Sequence, residues 1–481
     1  MSFLKKALDA QQFVCVLEWT PRDNKASAAS LHQLMKHQHL AGMPLVAALA
    51  DRVGQSAQLS SLASFERHRG PFPTLLHFSG KDRAPQQLQA QLEQMQEFGL
   101  HDLLLLSGDR DPTHTPGQRS VRYLESVPAL QQARHQLPGA SLGAALNPFK
   151  YLEEEGIAQY YKAHKKLIAG ADFLTVQLGF DVAKYDEAWQ WMHKQVSPKP
   201  LMACVMALTH TRAQFLRHVP GVVITRSMMD LLAAEEQQGA DWSRQRSTER
   251  LALQILGLQL KGYAGVHLSG IHGQTQFSEL ENALERLRGN IETQEQWSEA
   301  WASLWQYPGT GKVNFAPEES DWAPGLERVQ ASIGELRRFR RLQALHHLFF
   351  SEQSVLGRAL GSVMCWPLWQ SPIAARILHR VERGIKRPVL GCDTCGHCRL
   401  EQTLYVCPET CPKGLANGPC GGTHLNRCEF GDRECIHSVK YRISVSAQQS
   451  QVLREVLIPI VPEQTRHQSS WPRWFRPDDA I

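Results

Sequence analysis

The sequence contains no run of about 18 uninterrupted apolar residues, the minimum for a helix that crosses a bilayer. Its first residues, Met-Ser-Phe-Leu-Lys-Lys-Ala, lack the apolar stretch and cleavage site of a secretory signal. There is no internal repeat of solenoid period and no low-complexity tract. These absences lead us to expect a cytoplasmic protein without membrane contact, whose thiols stay reduced.

A stripe of one charge sign is also missing. The 52 lysines and arginines nearly balance the 47 aspartates and glutamates, for a formal net charge of +5. Basic residues are scattered, with short runs such as 337–341, and do not alternate with aromatic residues. We therefore expect no nucleic-acid partner. A hydrophobic content of 42% in 481 residues predicts an ordinary globular protein of several domains.

Cysteine is scarce outside one short stretch, which holds eight of the eleven cysteines. These eight are Cys392, Cys395, Cys398, Cys407, Cys411, Cys420, Cys428 and Cys435. The stretch is rich in glycine and proline and has too few apolar residues to form a core, so it needs cross-links. In a reducing compartment we expect metal–thiolate bonds rather than disulfides.

The spacing leaves the identity of the metal open. Two residues separate Cys392 from Cys395 and Cys395 from Cys398, which suits either an iron–sulfur cluster or zinc. Eight thiolates suffice for two four-thiolate sites, or for one site with the remaining cysteines outside it. Three histidines in or beside the stretch are alternative zinc ligands: His397, His424 and His437. Because there are more thiols than one site needs, we expect these histidines to lie at the surface or to contact the ligands rather than the metal.

The first 290 residues alternate short, β-rich apolar runs with amphipathic segments. Eight strands are predicted, at Phe13–Trp19, Pro44–Ala50, Thr74–Ser79, Asp102–Ser107, Ser141–Asn147, Phe173–Leu178, Leu201–Ala207 and Gly265–Ile271. Segments between them, such as Ala84–Glu97 and Gly156–Ala169, have helical periodicity. Eight strand–helix units predict an α/β fold of the (β/α)₈ TIM-barrel type. No Gly-x-Gly-x-x-Gly follows the first strand, which argues against a Rossmann cradle.

In such barrels the active site lies at the carboxyl ends of the strands. The polar residues there are Glu18, Asp51, His77, Ser79, Asp82, Asp109, Asn147, Gln177, His267 and Ser269. Glu18 interrupts an apolar strand, and a carboxylate inside a barrel is costly unless it is used. A structural ion pair is the alternative for Glu18, and a turn residue is the alternative for Asp109. Taken alone, His77 and His267 are more often hydrogen-bonded core residues.

The rest of the chain divides by composition. We predict a barrel domain over 1–290, a helical linker over 291–385, a cysteine-rich metal-binding module over 386–445 and a C-terminal tail over 446–481. The linker contains predicted helices at Gln294–Trp305 and Gly334–Met364. The last part of the tail, Glu463–Ile481, is expected to dock loosely.

The strand ends resemble those of the methylenetetrahydrofolate reductase family, whose members are flavin-dependent (β/α)₈ barrels. The matching motifs are Leu17-Glu18-Trp19-Thr20-Pro21, His77 with Asp82, Leu106-Ser107-Gly108-Asp109, and Lys166 followed by Ala169-Gly170-Ala171-Asp172, Gln177 and Phe180-Asp181. The cysteine stretch, with Asn417-Gly418-Pro419-Cys420-Gly421-Gly422, resembles the metal-binding C-terminal module associated with that enzyme.

This resemblance implies a reductase that interconverts 5,10-methylenetetrahydrofolate and 5-methyltetrahydrofolate in one-carbon metabolism and methionine biosynthesis. Glu18 is implied as the general acid, Asp109 as the partner of the cationic intermediate and Gln177 as a folate contact. The implied contacts of the flavin are His77, Asp82, Gly108, Asn147 and Lys166.

The resemblance also implies cofactors and partners. The flavin is FAD, with FMN as the alternative. The electrons come from NAD(P)H, or from an electron-carrier protein through iron–sulfur clusters in the cysteine-rich module. A methyltransferase is a further implied partner, and a homo-oligomer is expected. Ser107 and Asn147 depart from the arginine and tyrosine of the family. The alternative function is therefore a folate-binding accessory subunit of a methyl-transfer system, with weak or no reductase activity.

Overall fold

The structure is a computed structural model of the 481-residue chain and describes residues 2–20, 25–51, 60–110, 123–306, 311–318 and 329–476. Pro21 of the first-strand motif lies outside these residues. The chain forms two compact units. The barrel unit comprises Met1–Asp109, Ala129–Tyr151 and Lys166–Trp322, and the cysteine unit comprises Arg110–Pro128, Leu152–Lys165 and Ala323–Ile481. The domain boundaries predicted from composition stay predictions.

Eight parallel strands close into a barrel, which confirms the predicted fold. The strands are β1 (Val14–Trp19), β2 (His39–Leu40), β3 (Met43–Leu49), β4 (Thr74–Ser79), β5 (Asp102–Leu106), β6 (Ser141–Leu146), β7 (Phe173–Val176), β8 (Leu201–Met206) and β9 (Gly265–Ser269). Strand β1 pairs with both β9 and β3, and this double pairing closes the sheet. Strand β2 is an antiparallel addition to β3. All eight predicted strands are present, shifted by at most two residues at an end.

The helices of the N-terminal part alternate with these strands. They are α1 (Phe3–Asp9), α2 (Lys25–Met35), α3 (Ser61–His68), α4 (Pro85–Glu97), α5 (Ser126–Gln136), α6 (Glu153–Ile168), α7 (Val182–His193), α8 (His210–Leu216), α9 (Arg226–Gln237), α10 (Ala240–Lys261), α11 (Gln274–Arg288) and α12 (Gln294–Leu304). Later in the chain come α13 (Ile333–Phe350), α14 (Val355–Met364), α15 (Pro372–Leu390), α16 (Ile436–Ser446), α17 (Ser450–Glu455) and α18 (Trp471–Phe475). No helix in the described part of the chain is long and apolar enough to cross a membrane.

The barrel interior is filled by residues that alternate along each strand. Val14 and Val16 of β1 belong to one buried cluster with Leu4 of α1 and Phe173 of β7. A Cβ at Gly143 would lie 2.3 Å from the Phe173 ring, so glycine at this position makes room for that ring. Because side chains alternate with a period of two, the next inward position of β1 after Val16 is residue 18. The same pattern that builds the apolar core therefore carries polar residues into the carboxyl end of the barrel.

Two expectations for the C-terminal half are wrong. The single helix predicted over Gly334–Met364 is two helices, broken where Ser354 caps α14 by accepting a hydrogen bond from the Gly357 amide. A Cβ at Gly357 would lie 2.1 Å from the Ser351 carbonyl oxygen, so glycine permits this close turn.

The tail is not loosely docked over its described residues, which end at Arg476. Glu382 of α15 is buried and accepts hydrogen bonds from the hydroxyls of Ser469 and Ser470. The Trp474 indole donates to the Phe350 carbonyl at 3.0 Å. Buried polar contacts of this kind anchor a segment, because leaving any of these groups unpaired would cost free energy.

Candidate active site and thiol clusters

The carboxyl end of the barrel holds a carboxylate with a defined partner. Glu18 lies on β1 and accepts a hydrogen bond from the Ser269 hydroxyl at the end of β9. The register explains this contact, since Leu17 is opposite Leu268 and residues one step further along both strands are neighbours. The hydrogen bond fixes one oxygen of the carboxylate, and Glu18 remains half-buried. An inward carboxylate held in this way is positioned for proton transfer.

Two buried histidines lie close to each other in the barrel, and one of them, His267, is within electrostatic reach of Glu18. The ring centroids of His77 on β4 and His267 on β9 are 5.1 Å apart. Burial lowers the pKa of both imidazoles. The pKa of His77 is lowered further by His267, whereas Glu18 partly offsets the lowering for His267. Both rings are therefore neutral near pH 7. Within the described residues, Nε2 of His77 and Nδ1 of His267 have no hydrogen-bond partner, which leaves one atom of each ring available to a ligand.

Sequence reasoning missed two further inward residues, Thr175 and Cys204. Cys204 of β8 is opposite His267 in the sheet, and burial together with Glu18 raises the pKa of its thiol. Thr175 of β7 is buried, and its hydroxyl has no partner among the residues that the structure describes. The sequence could have identified them, because both residues lie at inward positions of the two-residue alternation along their strands.

The ends of β4 and β5 meet in a tight turn region. Gly108 has a φ of +88°, and a Cβ there would lie 2.5 Å from the Ser79 hydroxyl oxygen. Only glycine fits this position without strain. Asp82 also has a positive φ, of 54°, and its Oδ1 is buried without a partner in the described structure. Asp109 follows Gly108 and is exposed.

Asp51, a strand-end candidate, has a structural role. Its carboxylate forms an ion pair with Arg83 at 2.8 Å and accepts a hydrogen bond from the Ser79 amide at 2.7 Å. The Arg83 guanidinium also lies over the Phe78 ring. These contacts tie the ends of β3 and β4 together.

Three other predicted site residues hold backbone groups of the barrel unit. The Asn147 amide donates to the Gly221 carbonyl at 2.9 Å and accepts from the Phe149 amide at 3.0 Å. The Lys166 ammonium donates to a main-chain carbonyl of β6, and Oε1 of Gln177 accepts from the next residue's amide. Their implied ligand contacts stay predictions. The structure brings together Glu18, His77, His267 and Ser269.

In the cysteine unit, the eight cysteines divide into two sets. The first set lines one cavity together with Glu382 and Lys386 and consists of Cys392, Cys395, Cys398 and Cys407. In the second set, the thiols of Cys411, Cys420 and Cys428 lie close enough to Cys435 to raise the pKa of its thiol. All eight cysteines are free of disulfides. Among the described residues, no group of three or more histidine, cysteine or acidic side chains is arranged to hold a metal ion.

The protonation of these thiols follows from their burial. Burial raises the pKa of Cys395 and Cys428 to about 11, and that of Cys420 to about 12. These three thiols therefore carry their protons at neutral pH. A metal would have to displace those protons on binding.

Two buried lysines supply positive charge near the thiols. The Lys386 ammonium lies 2.6 Å from Glu382 and donates to the Cys398 sulfur at 3.6 Å. Lys440 lies within electrostatic reach of Cys407 in the first set and Cys411 in the second. In the described part of the chain, the Lys440 ammonium has no hydrogen-bond partner. Such cations would offset the charge of thiolates.

A buried ion pair organises the second set's surroundings. Glu125 lies 2.8 Å from the Lys162 ammonium and accepts hydrogen bonds from the Asn417 amide and side chain. Burial alone would raise the pKa of Glu125, but Lys162 and Asn417 outweigh it and lower the pKa to about 2. The Gln159 side chain donates to the Cys420 carbonyl at 2.7 Å. These contacts hold the 417–420 loop within the cysteine unit.

Comparison with known proteins gives two family matches. The model of the family described as methylenetetrahydrofolate reductase matches residues 3–284, which is more than half of the chain. The model described as methylene-tetrahydrofolate reductase C terminal matches residues 372–462, which include all eight clustered cysteines. No curated protein matches.

Among solved structures, this chain is similar to an uncharacterized protein from Clostridium thermocellum that binds two copies of 5-methyl-5,6,7,8-tetrahydrofolic acid. The sequence identity is 11%, and the TM-score is 0.43. The similarity covers 60% of this chain and 100% of that chain.

Proposed function

Because the chain belongs to the methylenetetrahydrofolate reductase family, we propose that it interconverts 5,10-methylenetetrahydrofolate and 5-methyltetrahydrofolate with a bound flavin. In the reducing direction, two electrons and two protons convert the methylene group to a methyl group. The observation that carries the proposal is the inward Glu18 carboxylate, held by Ser269 within electrostatic reach of the neutral His267. It provides an acid inside a barrel at the end where such folds bind substrates.

Glu18 is the proton donor in this proposal. It gives its proton to a folate nitrogen as the one-carbon bridge opens to an iminium. The Ser269 hydroxyl orients the carboxylate through its hydrogen bond to Oε2. Because His77 and His267 are neutral, neither imidazole carries an extra proton to give, which leaves Glu18 as the acid among these side chains.

The remaining roles in the reaction go to two residues that come just after β5 and β7. The exposed Asp109 carboxylate stabilises the cationic iminium by charge. Gln177 uses one carboxamide atom to hold the Leu178 amide, and its NH₂ group is the donor that we assign to the folate.

The polar atoms of the barrel suit a flavin. Nε2 of His77 and Oδ1 of Asp82 are buried atoms that lack partners within the described residues, and Gly108 keeps the neighbouring backbone free of a side chain. We assign these residues to flavin binding, with Asn147 and Lys166 as further contacts. When bound, a flavin supplies hydride transfer to or from the one-carbon unit. FAD is the form that we propose, with FMN as the alternative.

The eight thiols of the cysteine unit are suitable ligands for metal ions. Four thiols line one cavity with a cationic lysine, and four more lie together elsewhere in the unit. We propose that Cys392, Cys395, Cys398 and Cys407 hold one centre, and that the second set of four cysteines holds another, either as iron–sulfur clusters or as zinc. Iron–sulfur clusters would supply single-electron transfer from an electron-carrier protein, whereas zinc would be structural and would leave NAD(P)H as the electron donor.

One observation favours the accessory-subunit alternative. Asn147, which stands where the family has a tyrosine, directs both polar atoms of its side chain to Gly221 and Phe149. If this side chain does not reach the flavin, the cofactor binds more weakly. The chain would then bind folate for a methyltransferase without reducing it.

A visible absorption spectrum of the anaerobically purified protein separates the two functions. We expect a flavin spectrum that bleaches when 5-methyltetrahydrofolate is added. Residual broad absorbance after bleaching would identify iron–sulfur clusters rather than zinc. A colourless protein that binds 5-methyltetrahydrofolate but cannot be reconstituted with FAD or FMN would overturn the reductase proposal in favour of the accessory subunit.

A further inference from the structure

Helix α15 turns an apolar row toward solvent. Its large aliphatic residues recur at every fourth position, and each is about half exposed or more: Ile373 (72%), Ile377 (53%), Val381 (46%) and Ile385 (59%). Steps of four residues advance only about 40° around a helix, so these four side chains form one continuous row. Amphipathic helices normally bury such a row against their own domain. Here the apolar row faces outward, away from the buried side of the helix.

The side of α15 that lies about 100° around the helix from the apolar row is anchored, so the row cannot rotate inward. Leu378 and Leu390 are buried, as is the Glu382 carboxylate. That carboxylate accepts hydrogen bonds from Ser469 and Ser470 and pairs with Lys386. A rotation that buried the row would expose Leu378 and break these buried polar contacts. The outward direction of the row is therefore a fixed feature of the cysteine unit.

A row of exposed arginines runs along another side of the helix: Arg376, Arg380, Arg383 and Arg387. Arg376 lies about 60° around the helix from Ile373, whereas Arg383 lies about 160° from Ile385, so Arg376 and Arg380 are the arginines beside the apolar row. Between Gln353 and Leu390 the chain has six lysines and arginines but one acidic residue, Glu382, and that residue is buried and paired. The exposed surface of this segment is therefore apolar and cationic, without a carboxylate.

The turn before α15 extends the apolar surface. Trp366 is 58% exposed and Leu368 is 56% exposed. They belong to the short 3₁₀ segment around Pro367–Gln370, which packs against the start of α15. Tryptophan beside arginine and aliphatic residues is typical of helices that lie in the interface of a bilayer, where the ring enters the headgroup region.

We propose that this face of α15 seats on an anionic lipid bilayer. The apolar row enters the boundary between headgroups and acyl chains, and Arg376 and Arg380 of the arginine row pair with headgroup phosphates. Lipid fits the face better than a protein partner does, because no polar side chain interrupts the apolar row to give a partner a directional contact. The lack of a spanning segment led us to expect no membrane contact, but an interfacial helix needs no such segment. The proposal does not depend on reductase activity.

Vesicle sedimentation of the full chain tests the proposal. We expect the protein to pellet with vesicles of mixed phosphatidylglycerol and phosphatidylcholine, and about tenfold less with phosphatidylcholine alone. Raising the salt concentration should weaken binding to the anionic vesicles, since the attraction of the arginine row is screened. Brominated acyl chains should quench part of the tryptophan fluorescence, and the Trp366→Phe variant should lose that part.

Matched variants test whether this face of α15 is the surface that binds the vesicles. Ile377→Asp/Val381→Asp should abolish vesicle binding, and Arg376→Glu/Arg380→Glu should abolish the preference for phosphatidylglycerol. Phe215→Asp, which replaces a 70% exposed aromatic residue on α8, should bind vesicles like the wild type. All of these side chains are exposed, and circular dichroism checks that each variant is folded.

Two results would overturn the proposal. One is equal sedimentation of the wild type and Ile377→Asp/Val381→Asp. The other is a wild type that ignores vesicles but self-associates in analytical ultracentrifugation, while Ile377→Asp/Val381→Asp stays monomeric. That second result would assign the face to another copy of this chain.

Discussion

The Ser269 hydroxyl donates a hydrogen bond to Oε2 of Glu18, across the β1–β9 pair that closes the barrel. The two residues are 251 positions apart in the sequence. Closure of the barrel alone makes them neighbours, because β1 and β9 are the first and last strands of the parallel sheet. The proposed acid is thus oriented by the pairing of the two terminal strands.

Replacing Glu18 with glutamine should abolish folate reduction while leaving flavin bound. The change removes the proton but keeps the shape and the hydrogen bond from Ser269, and a general acid contributes about 10²–10⁴-fold to rate. Stopped-flow measurement of the folate half-reaction checks this. Glu285→Gln, an exposed change on α11, is the control and should react normally. Unchanged turnover of Glu18→Gln would remove this residue from the mechanism.

Replacing Asp109 with asparagine should slow the folate half-reaction about 10²-fold, because the cationic intermediate loses its charge partner. Asp230→Asn, at an exposed site on α9, should leave the rate unchanged. The same stopped-flow experiment measures both variants. A near-native rate for Asp109→Asn would reduce this residue to a part of the turn after β5.

The two cysteine sets should lose metal independently. Cys395→Ser removes a thiol of the first set and Cys428→Ser a thiol of the second, so each variant should keep only the metal of the other set. Elemental analysis of anaerobically purified protein measures the loss. Cys365→Ser, which lies outside both sets, should retain full metal content. Identical metal content in Cys395→Ser and the wild type would show that the assignment of ligands is wrong.

Replacing Glu125 with glutamine should destabilise the cysteine unit by about 3–5 kcal/mol, because the buried Lys162 ammonium loses its counter-charge. The pKa of Glu125 falls from 4.5 to about 2 on folding. Its contribution is therefore complete above pH 4.5 and is lost as the pH falls toward 2. Urea unfolding at several pH values measures this. The exposed Glu352→Gln is the control; an equal effect from both variants would contradict the prediction.

Asp102 should make the barrel unit less stable as the pH rises. Burial raises the pKa of its carboxyl from 3.8 to about 7, although the hydrogen bond from the Ser2 hydroxyl acts in the opposite direction. The protonated form is favoured in the fold, so its stabilising contribution is complete below pH 3.8 and is lost as the pH rises through 7. The loss amounts to about 4 kcal/mol at most, for roughly three pKa units. Urea unfolding across this pH range measures it. Asp102→Asn should flatten the dependence, while the exposed Asp9→Asn should preserve it.

The sequence predicted the barrel well because each strand is a short apolar run covered on both sides, and such runs are visible without any tertiary information. It also identified Glu18, because a charge within the apolar β1 strand is unusual. It predicted one helix over Gly334–Met364 where there are two, because the residues between them, Ser351–Ser354, include no proline or glycine that would mark the break. It left α15 unassigned, although Ile373 and Ile377 begin a four-residue period.

What the sequence by itself determined is local: the alternation of strands and helices, the cysteine stretch and the polar residues at strand ends. These follow from side-chain periodicity and from composition within short windows. The tertiary structure alone decided which distant residues meet. It paired Glu18 with Ser269, grouped eight cysteines into two sets of four, and turned the apolar row of α15 outward. Such contacts depend on barrel closure and on which helix face is anchored, and neither property is encoded in the spacing of neighbouring residues.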